Sequence, residues 1–338
     1  VTVEVPADPI VFDAVRIQGE TRGEGRCVLR PEEGEATYLL WEEARKALQI
    51  TEWTSAEQRV LFQIARFDRI LDPTTLVVEQ EDIDLLGVVS EQPFVTDPPD
   101  TLLEHGFIRQ AGDSIYYSGV DAATILTSRF LDTHCFRRIT GGTALAGLAF
   151  QPVDPGAITD VEGTLWVDRE TAELRFLEFR YVDPPRFLRR VDPEEYGGRV
   201  EFRRLDDGSW IVSRWIIRTP VLDGTGFRAR LVQYSESEGE ILALIDRRGQ
   251  PLPWPRHAAV LTGVVVHPRW GDPIPLATIR IVGAPYQVQA DEHGRFGIDG
   301  LPGGRYRIEA LHPSLPGGSI DRIVELSRGA TTRIEIGG

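Results

Sequence analysis

The stretch GTLWVDRETAELRFLEFRYV (163–182) decides the predicted fold, because it has the pattern of a β-hairpin. Two runs that alternate in polarity are separated by the turn segment RETAE. In the second run every other residue from Leu177 to Tyr181 is large and apolar, so we expect this face to be buried. Glu178 and Arg180 fall between them, on the face that we expect to meet solvent.

The same two-residue period continues on both sides of this hairpin. ALAGLAFQP (144–152) precedes it, and GGRVEFRRL (197–205), WIVSRWIIRTP (210–220) and GFRARLVQYSESE (226–238) follow it. These segments predict a curved antiparallel sheet. Arginines recur along them, and a solvated face paired with glutamate is favoured over a binding patch, although both interpretations stay open. The arginines are Arg199, Arg203, Arg214, Arg218, Arg228 and Arg230.

The first third of the chain mixes helical and strand patterns. EATYLLWEEARKALQ (35–49) has apolar residues near one helical face, and residues 57–71 favour a long strand that pairs with 74–82. VDAATILTSRFLDTHCF (120–136) predicts a second helix, which Asp121 can cap. With the sheet, these elements predict an α+β domain.

The charge is concentrated in the acidic first third. The chain has a net charge of −15, and residues 1–136 hold 25 acidic and 11 basic side chains. This balance argues against a nucleic-acid partner, because phosphate contacts need a basic face. No apolar run approaches the roughly 18 residues that a spanning helix needs, so we do not expect a membrane-spanning protein. We place the α+β domain at 27–248, with an acidic part at 27–136 and the sheet at 137–248.

The composition is unusual in three residue types. The chain has no methionine and no asparagine, and Lys46 is its one lysine among 37 basic residues. A GC-rich genome favours arginine over lysine, and a hot habitat disfavours the residues that degrade chemically. We expect the first cause and leave the second open. Because the chain begins at Val1, we expect a processed chain or a fragment of a longer precursor.

The last third has the pattern of a separate β-domain. GQPLPWPRH (249–257) contains three prolines in nine residues, which predicts a stiff linker. Residues 258–338 contain short apolar runs and Gly/Pro turns, which are typical of a β-sandwich. Between Asp291 and Gly294 we expect a tight turn that requires a positive φ.

Residues 258–338, about a quarter of the chain, resemble the carboxypeptidase regulatory-like domain, a transthyretin-like sandwich. The resemblance implies a non-catalytic domain that stabilises or connects other parts, without a cofactor. The residues that carry it are Gly263-x-Val265, Pro275-Leu276-Ala277, Asp291-Glu292-x-Gly294-Arg295-Phe296 and Leu301-Pro302-x-Gly304-x-Tyr306.

Two wider resemblances concern the rest of the chain. The combination of LWEEARKAL, FLDTHCF, GTLWVDRETAEL and GGRVEFRRL resembles secreted envelope proteins of GC-rich bacteria. It implies a secreted or cell-envelope location, in the periplasm or on the outer surface. The central sheet is also similar to the half-barrel of lipoprotein carriers, in which a curved sheet wraps a helix and an apolar ligand.

The opening segment VTVEVP has the period of a half-buried strand, which Pro6 and Pro9 then interrupt. It looks like the final strand of a regulatory-like sandwich. We therefore expect residues 1–26 to offer a strand to the sandwich of a neighbouring copy. Repeated head to tail, such addition gives an open filament. Alternatively, the strand packs within its own chain. The residues predicted to form the assembly strand are Val1, Val3, Val5, Ile10 and Phe12.

Cys27 and Cys135 are the two cysteines of the chain. In a secreted protein they would be oxidised, so we predict a disulfide between them. The alternative is a catalytic thiol at Cys135 beside His134. This alternative is disfavoured, because adjacent residues on a helix point in different directions.

Motifs for catalysis and cofactor binding are absent from the sequence. The chain lacks HExxH, GxSxG, Walker A and GxGxxG, and its six histidines do not have the spacing of zinc ligands. We therefore predict no catalytic residue, no metal ligand and no cofactor. EQEDID (79–84) carries four carboxylates, but it lacks the glycine and the spacing of a calcium loop.

The seven tryptophans allow two interpretations, a sugar-stacking platform or ordinary packing. Trp166 and Trp210 fall on predicted strands, where packing is the commoner role of an aromatic residue. Trp254 and Trp270 lie near the linker, and we expect them to contribute to an interface.

Together the sequence predicts a non-catalytic secreted or envelope protein that acts through protein–protein interaction. Its partner is a further copy in a filament or another envelope protein. The alternative is a periplasmic or outer-membrane-associated binding protein whose half-barrel holds an apolar ligand. A deep apolar cavity under strands 163–235 would favour that alternative. A third class, a hydrolase, would require a cleft with strongly perturbed carboxylates.

Overall fold

The computed structural model describes residues 31–57, 60–112, 114–141, 144–154, 156, 158–224, 229–254, 259–284 and 286–337. The chain divides into two compact units. Unit 1 is Val1–Arg59, Arg69–Glu79 and Gln92–Glu238; unit 2 is Val60–Asp68, Gln80–Glu91 and Gly239–Gly338. These units divide the chain at positions other than the predicted domain limits, which therefore stay a prediction. The predicted limits are 1–26, 27–248, 249–257 and 258–338.

The described residues form an α+β body and an all-β sandwich, as the sequence predicts. In chain order the elements are α1 (Pro31–Ala56), β1 (Val60–Leu71), β2 (Val78–Ser90), α2 (Pro99–His105), β3 (Ile108–Ala111), β4 (Ser114–Tyr117), α3 (Ala122–Ile125), α4 (Ser128–Thr133), β5 (His134–Gly141), β6 (Leu145–Pro152), β7 (Asp160–Asp168), β8 (Leu174–Val182), β9 (Gly197–Arg204), β10 (Trp210–Asp223), β11 (Arg230–Asp246), β12 (Pro251–Leu252), β13 (Ala259–Val265), β14 (Thr278–Ile281), β15 (Gln287–Gln289), β16 (Arg295–Leu301), β17 (Gly304–Leu311), β18 (Ser319–Leu326) and β19 (Thr331–Ile336).

Helix α1 confirms the helical pattern of residues 35–49 and extends beyond it at both ends. Leu40, Ala44 and Leu48 recur on one face of the helix and are completely buried. On the outside of the helix, Lys46 Nζ lies 2.6 Å from Glu43 Oε1, an ion pair between residues three apart. The apolar face thus holds the helix against the sheet, while the rest of its surface carries charged residues together with the exposed Tyr38, Leu39 and Trp53.

A large sheet has the strand order β2-β1-β11-β10-β9-β8-β7-β6-β5, and β12 pairs with β11. The pairs from β5 to β10 are all antiparallel. In β8, Leu177, Phe179 and Tyr181 are buried, while Glu178 is exposed and Arg180 is half-buried, so the predicted faces are confirmed. The buried face joins one core with α1, α3 and α4.

The predicted helix at 120–136 is wrong in its last part. Asp121 caps a short helix, α3, by accepting a hydrogen bond from the Thr124 backbone nitrogen at 2.8 Å. The chain then forms α4, but from His134 it continues as strand β5. Pairing with the whole length of β6 satisfies the β5 backbone, and this tertiary pairing outweighs the helical pattern of the sequence.

The regulatory-like region of unit 2 is a two-sheet sandwich. One sheet has the order β16-β13-β19 and the other has the order β15-β14-β17-β18. Inward-facing residues of both sheets, such as Leu261, Ile279 and Ile308, are completely buried in one core. Gly294 has a φ of +69°, so the positive φ predicted for the turn at Asp291–Gly294 is confirmed.

The predicted linker is not a simple spacer over its described part. Its residues Pro251–Leu252 form β12, which pairs with Leu244 and Ile245 of β11. Trp254 is half-buried, and its Nε1 donates a hydrogen bond of 2.9 Å to the Ile241 carbonyl oxygen. Residues 255–257 lie outside the described residues.

Candidate functional site

The face of the sheet turned away from α1, which we call the outer face, carries the polar side chains of unit 1. The strand register places Arg137, Ala149, Thr164, Glu178 and Arg199 opposite one another on five adjacent strands, β5 to β9. Side chains in such a row lie on the same face, because residues directly opposite each other in a sheet point the same way. The row thus runs across the sheet at right angles to its strands.

Eight residues of the outer face form a continuous ion-pair chain in which arginine and glutamate alternate. Every neighbouring pair has an N–O contact between 2.5 and 3.3 Å. With four residues of each sign, the ion-pair chain is neutral overall. In order of contact its members are Glu178, Arg199, Glu201, Arg214, Glu238, Arg69, Glu236 and Arg218.

The ion-pair chain is more exposed at both ends, Glu178 and Arg218, and is most buried in between, at Glu238. The Glu178 side chain is 49% exposed, whereas that of Glu238 is only 3% exposed. Burial opposes the ionisation of Glu238, but the hydrogen bonds and charges of Arg214 and then Arg69 outweigh burial and hold the pKa of Glu238 below its usual value. The buried middle of the ion-pair chain therefore depends on pairing much more than its exposed ends.

A concavity of about 580 Å³ opens on the outer face over strands β5 to β10. Arg137, Gln151 and Thr164 line one side of it, and Glu178 and Glu194 line the other side. Glu194 reaches the concavity from a 3₁₀ turn at Pro193–Glu195 and forms an ion pair with Arg180, which also contacts Glu162. A volume of this size is within the range of small-ligand sites.

Small residues create the depth of this concavity. Ala149 lies between Arg137 and Thr164 in the transverse row, so only a methyl group occupies that position. Gly147, two residues earlier on β6, has no room for a side chain. A Cβ there would lie 2.6 Å from Ile139 Cγ1 and 2.9 Å from Trp166 Cζ3. The side chains of β6 therefore rise less far above the sheet here than the long side chains that cover the rest of the outer face.

Buried tyrosines lie beside this region. The Tyr234 hydroxyl donates a hydrogen bond of 2.5 Å to Glu195 Oε2, and the Tyr181 hydroxyl donates one of 3.1 Å to the Ser118 carbonyl oxygen. Burial, and then the charge of Asp192, raises the pKa of Tyr196 to about 12. These hydroxyls therefore remain protonated at neutral pH; those of Tyr234 and Tyr181 act as hydrogen-bond donors, whereas the buried Tyr196 hydroxyl has no hydrogen-bond partner among the described residues.

The outer face bears out the glutamate-paired interpretation for Arg199, Arg214 and Arg218. Arg137, Gln151 and Thr164 are not among the residues that the sequence patterns single out. Residues 134–136 follow a helical pattern, so the sequence does not indicate that Arg137 lies on a strand of the sheet. The sequence of β6 does hint at a low point on the outer face, because small or polar residues alternate there with apolar ones. These residues are Gly147, Ala149 and Gln151. Arg228 lies outside the described residues.

The two tryptophans that we expect at an interface have different environments in the structure. Trp254 is tethered by its hydrogen bond to Ile241, whereas Trp270 is 67% exposed and stacks on His267 at a centroid distance of 4.0 Å. An exposed, stacked indole is a common form of interface anchor. The interface role of both residues stays a prediction.

The predicted disulfide and the assembly strand involve residues beyond the described part of the chain. Cys27 lies outside the described residues, as do Val1, Val3, Val5, Ile10 and Phe12, so both predictions stay predictions. Cys135 lies on β5 and is half-buried, whereas His134 is buried. Because adjacent residues of a strand point to opposite faces, the two side chains do not form a dyad.

The described residues contain no group of three or more His, Cys, Asp or Glu side chains that could hold a metal ion. In EQEDID, Glu81 Oε1 instead accepts a hydrogen bond of 2.7 Å from the Arg305 backbone nitrogen. Of the helices in the described parts, none is long and apolar enough to cross a membrane. The face expected to hold an apolar ligand is covered by α1, whose Leu40 and Leu48 share the buried core with Leu177.

Residues 260–337 match the family model of the carboxypeptidase regulatory-like domain. This part of the chain is therefore a carboxypeptidase regulatory-like domain, as the motifs around Asp291 and Tyr306 predict. The match covers less than a quarter of the chain. No curated protein matches the chain.

Several solved structures have a distant likeness to the chain. BcpA, the major pilin subunit of Bacillus cereus, is 9% identical with a TM-score of 0.19, and the match covers 51% of this chain and 87% of that one. The shaft pilin SpaA of Lactobacillus rhamnosus GG is 8% identical with a TM-score of 0.19, over 52% and 76% of the two chains. The TIE protein of Bacillus anthracis is 9% identical with a TM-score of 0.22, over 67% and 46%. Scores this low do not show a shared fold.

Proposed function

We propose that this protein is a non-catalytic secreted or cell-envelope protein that acts through protein–protein interaction, and that its copies assemble by strand addition. In this proposal, residues 1–12 of one copy pair with an edge strand of the regulatory-like domain of the next copy. The partner is thus the protein itself, and another envelope protein with a similar strand is an equivalent partner. Each copy uses one strand and one of its sheet edges for this contact, so the assembly grows head to tail.

The observation that carries the proposal is the edge strand β18. It lies at the end of the sheet order β15-β14-β17-β18, and among the described residues its one sheet partner is β17, along all eight residues. Such an edge presents a row of backbone N–H and C=O groups that can template a further strand. Ile323 stands near the middle of this edge and is 56% exposed, so an added strand would cover an apolar side chain.

The sequence of the offered strand suits this edge. Val1, Val3 and Val5 alternate with polar residues, so one face of the added strand is apolar and can cover Ile323. Pro6 interrupts the regular pairing after five residues, against the eight residues of β18, and Ile10 and Phe12 follow in the rest of the segment. The predicted disulfide at Cys27 would fix the base of the segment to its own chain.

Electron microscopy of the purified protein tests the proposal, with a variant lacking residues 1–12 beside it. We expect filaments from the full chain and none from the truncated variant. Ile323→Lys should also abolish filaments, because it replaces the exposed apolar side chain that the added strand would cover. Val282→Lys is the matched control, since Val282 is an apolar residue of the same domain that is 44% exposed and lies outside β18. Filaments that persist in the Ile323→Lys variant, or monomers of the full chain at high concentration, would contradict the proposal.

A further inference from the structure

We infer that the concavity on the outer face binds a short peptide segment that carries a carboxylate close to a basic group. The first reason is a set of three hydrogen-bonding side chains that no described residue engages: Arg137, Gln151 and Thr164. All three line the concavity, and they come from three adjacent strands, β5, β6 and β7. On the rest of this face the arginines and glutamates hold one another.

These three side chains surround one position, the space above Ala149. Arg137 and Thr164 flank Ala149 in the same transverse row, about 5 Å away on either side, because that is the spacing of neighbouring strands. Gln151 is two residues further along β6 and therefore points to the same face. A carboxylate above Ala149 can accept hydrogen bonds from the guanidinium, the amide and the hydroxyl together. Arginine binds a carboxylate most strongly when its guanidinium donates a hydrogen bond to each of the two carboxylate oxygens.

The opposite side of the concavity favours a positive charge. The Glu178 side chain is 49% exposed and that of Glu194 is 67% exposed, so their carboxylates remain accessible although each contacts an arginine. In the transverse row Glu178 is two strands from Ala149, which places it about 10 Å from the carboxylate position. A ligand that carries both charges at this separation would satisfy both sides.

The overall charge of the lining distinguishes a peptide from a polyanion. The lining contains five glutamates and four arginines, and the whole protein has a net charge of −15. An acidic polysaccharide would bring only negative charges to this surface and would be repelled. A peptide with acidic and basic side chains a residue apart has the required separation, and about 580 Å³ accommodates a few residues. The inference rests on the proposed interaction function and specifies a second contact for it.

Binding of capped tripeptides to the full-length protein tests this inference, with isothermal titration calorimetry as the measurement. The probe is acetyl-Glu-Gly-Lys-amide, and the Gln-Gly-Lys and Glu-Gly-Gln analogues each lack one charge. We expect the probe to bind and both analogues to bind at least tenfold more weakly. Arg137→Gln should weaken binding at least tenfold because it removes the guanidinium. Ala149→Leu should do the same while it keeps every charge, because it fills the carboxylate position.

Arg175→Gln is the control, since Arg175 is exposed on β8 and does not line the concavity; it should change binding less than twofold. The inference is overturned if the probe fails to bind, if Arg137→Gln binds it as wild type does, or if polygalacturonate binds in its place. Filament formation is measured on the same samples. If the wild-type protein binds the probe but forms no filaments, only the proposal of strand addition is contradicted. If it forms filaments but does not bind the probe, only the peptide site is contradicted.

Discussion

Arg214 Nε lies 2.5 Å from Glu238 Oε1, and the Glu238 side chain is only 3% exposed. The same carboxylate also contacts Arg69 Nη1 at 2.6 Å through its other oxygen. Both oxygens of a nearly buried carboxylate are therefore occupied by guanidinium groups from strands on either side. This arrangement makes Glu238 the residue on which the buried middle of the ion-pair chain depends.

Replacement of Glu238 by glutamine should destabilise unit 1 strongly. Glutamine keeps the shape of the side chain but leaves Arg69 and Arg214 each with one carboxylate fewer. We expect the free energy of unfolding to fall by about 3 kcal/mol, because removal of one member of a buried ion pair leaves charge poorly compensated. Urea denaturation followed by circular dichroism measures this change. Glu178→Gln at an exposed end should cost no more than about 1 kcal/mol, and equal losses in the two variants would contradict this prediction.

The stability of the protein should fall in acid partly because of Glu238. Its pKa in the folded state lies below the ordinary value of 4.5, so the unfolded chain takes up this proton first as the pH decreases. The contribution is complete above the unfolded pKa and is lost as the pH falls through the folded pKa. We expect the wild type to lose stability below about pH 5 more steeply than Glu238→Gln. Parallel pH curves for the two proteins would be inconsistent with this assignment.

The predicted disulfide between Cys27 and Cys135 can be tested by thiol counting. We expect no reactive thiol in denaturant until a reductant is added. The double variant Cys27→Ser/Cys135→Ser should be less stable than the oxidised protein by up to about 4–5 kcal/mol, since the bridge closes a long loop of the unfolded chain. Two reactive thiols per chain in denaturant alone would show that the bridge is absent.

Substitution of two glycines in unit 2 can distinguish the cost of backbone strain from the cost of a steric clash. Gly249 and Gly294 both have positive φ, at +78° and +69°. A Cβ on Gly249 would meet nothing within 4 Å, whereas one on Gly294 would lie 2.7 Å from the Val265 carbonyl oxygen. We expect Gly249→Ala to cost about 1–2 kcal/mol from strain, and Gly294→Ala to cost about 1–3 kcal/mol more from overpacking. Differential scanning calorimetry can compare the two, and a smaller loss for Gly294→Ala would contradict this account.

Trp254 and Trp270, the two tryptophans predicted at an interface, should behave differently on substitution. Trp270→Ala should change the free energy of unfolding by less than about 0.5 kcal/mol, because the side chain is exposed. Trp254→Phe should cost about 1 kcal/mol through the lost hydrogen bond to Ile241. Chemical denaturation measures both. A large loss in Trp270→Ala would mean that this indole supports the fold instead of presenting itself to a partner.

Local patterns in the sequence predict the strands and their faces well. Alternation along β8 identifies the buried Leu177 and the exposed Glu178, and turn residues identify the hairpins on either side. The same local signal fails at His134, where a helical pattern and a strand pattern overlap and pairing with β6 decides between them. Only the position of a distant segment settles such a case.

The candidate site itself could be predicted only in part. The arginines of β9 and β10 are visible in the sequence as a basic stripe, but their partners are not. Arg69 contacts Glu236 and Glu238, which lie 167 and 169 residues away along the chain. The opening around Ala149 is also a property of the assembled sheet, since the three side chains that no described residue engages come from different strands. Sheet register, which the sequence does not state, creates both features.

The pairing of Lys46 with Glu43 on α1 has a practical consequence. Lys46 is the one side-chain amine of the sequence, and it is 51% exposed. Among side chains, an amine-reactive dye, cross-linker or surface coupling will therefore modify a single position. That position is on the helix side of unit 1, so the outer face remains unmodified. Molecules tethered through Lys46 would all present that face in the same orientation, which suits single-molecule measurements of its binding.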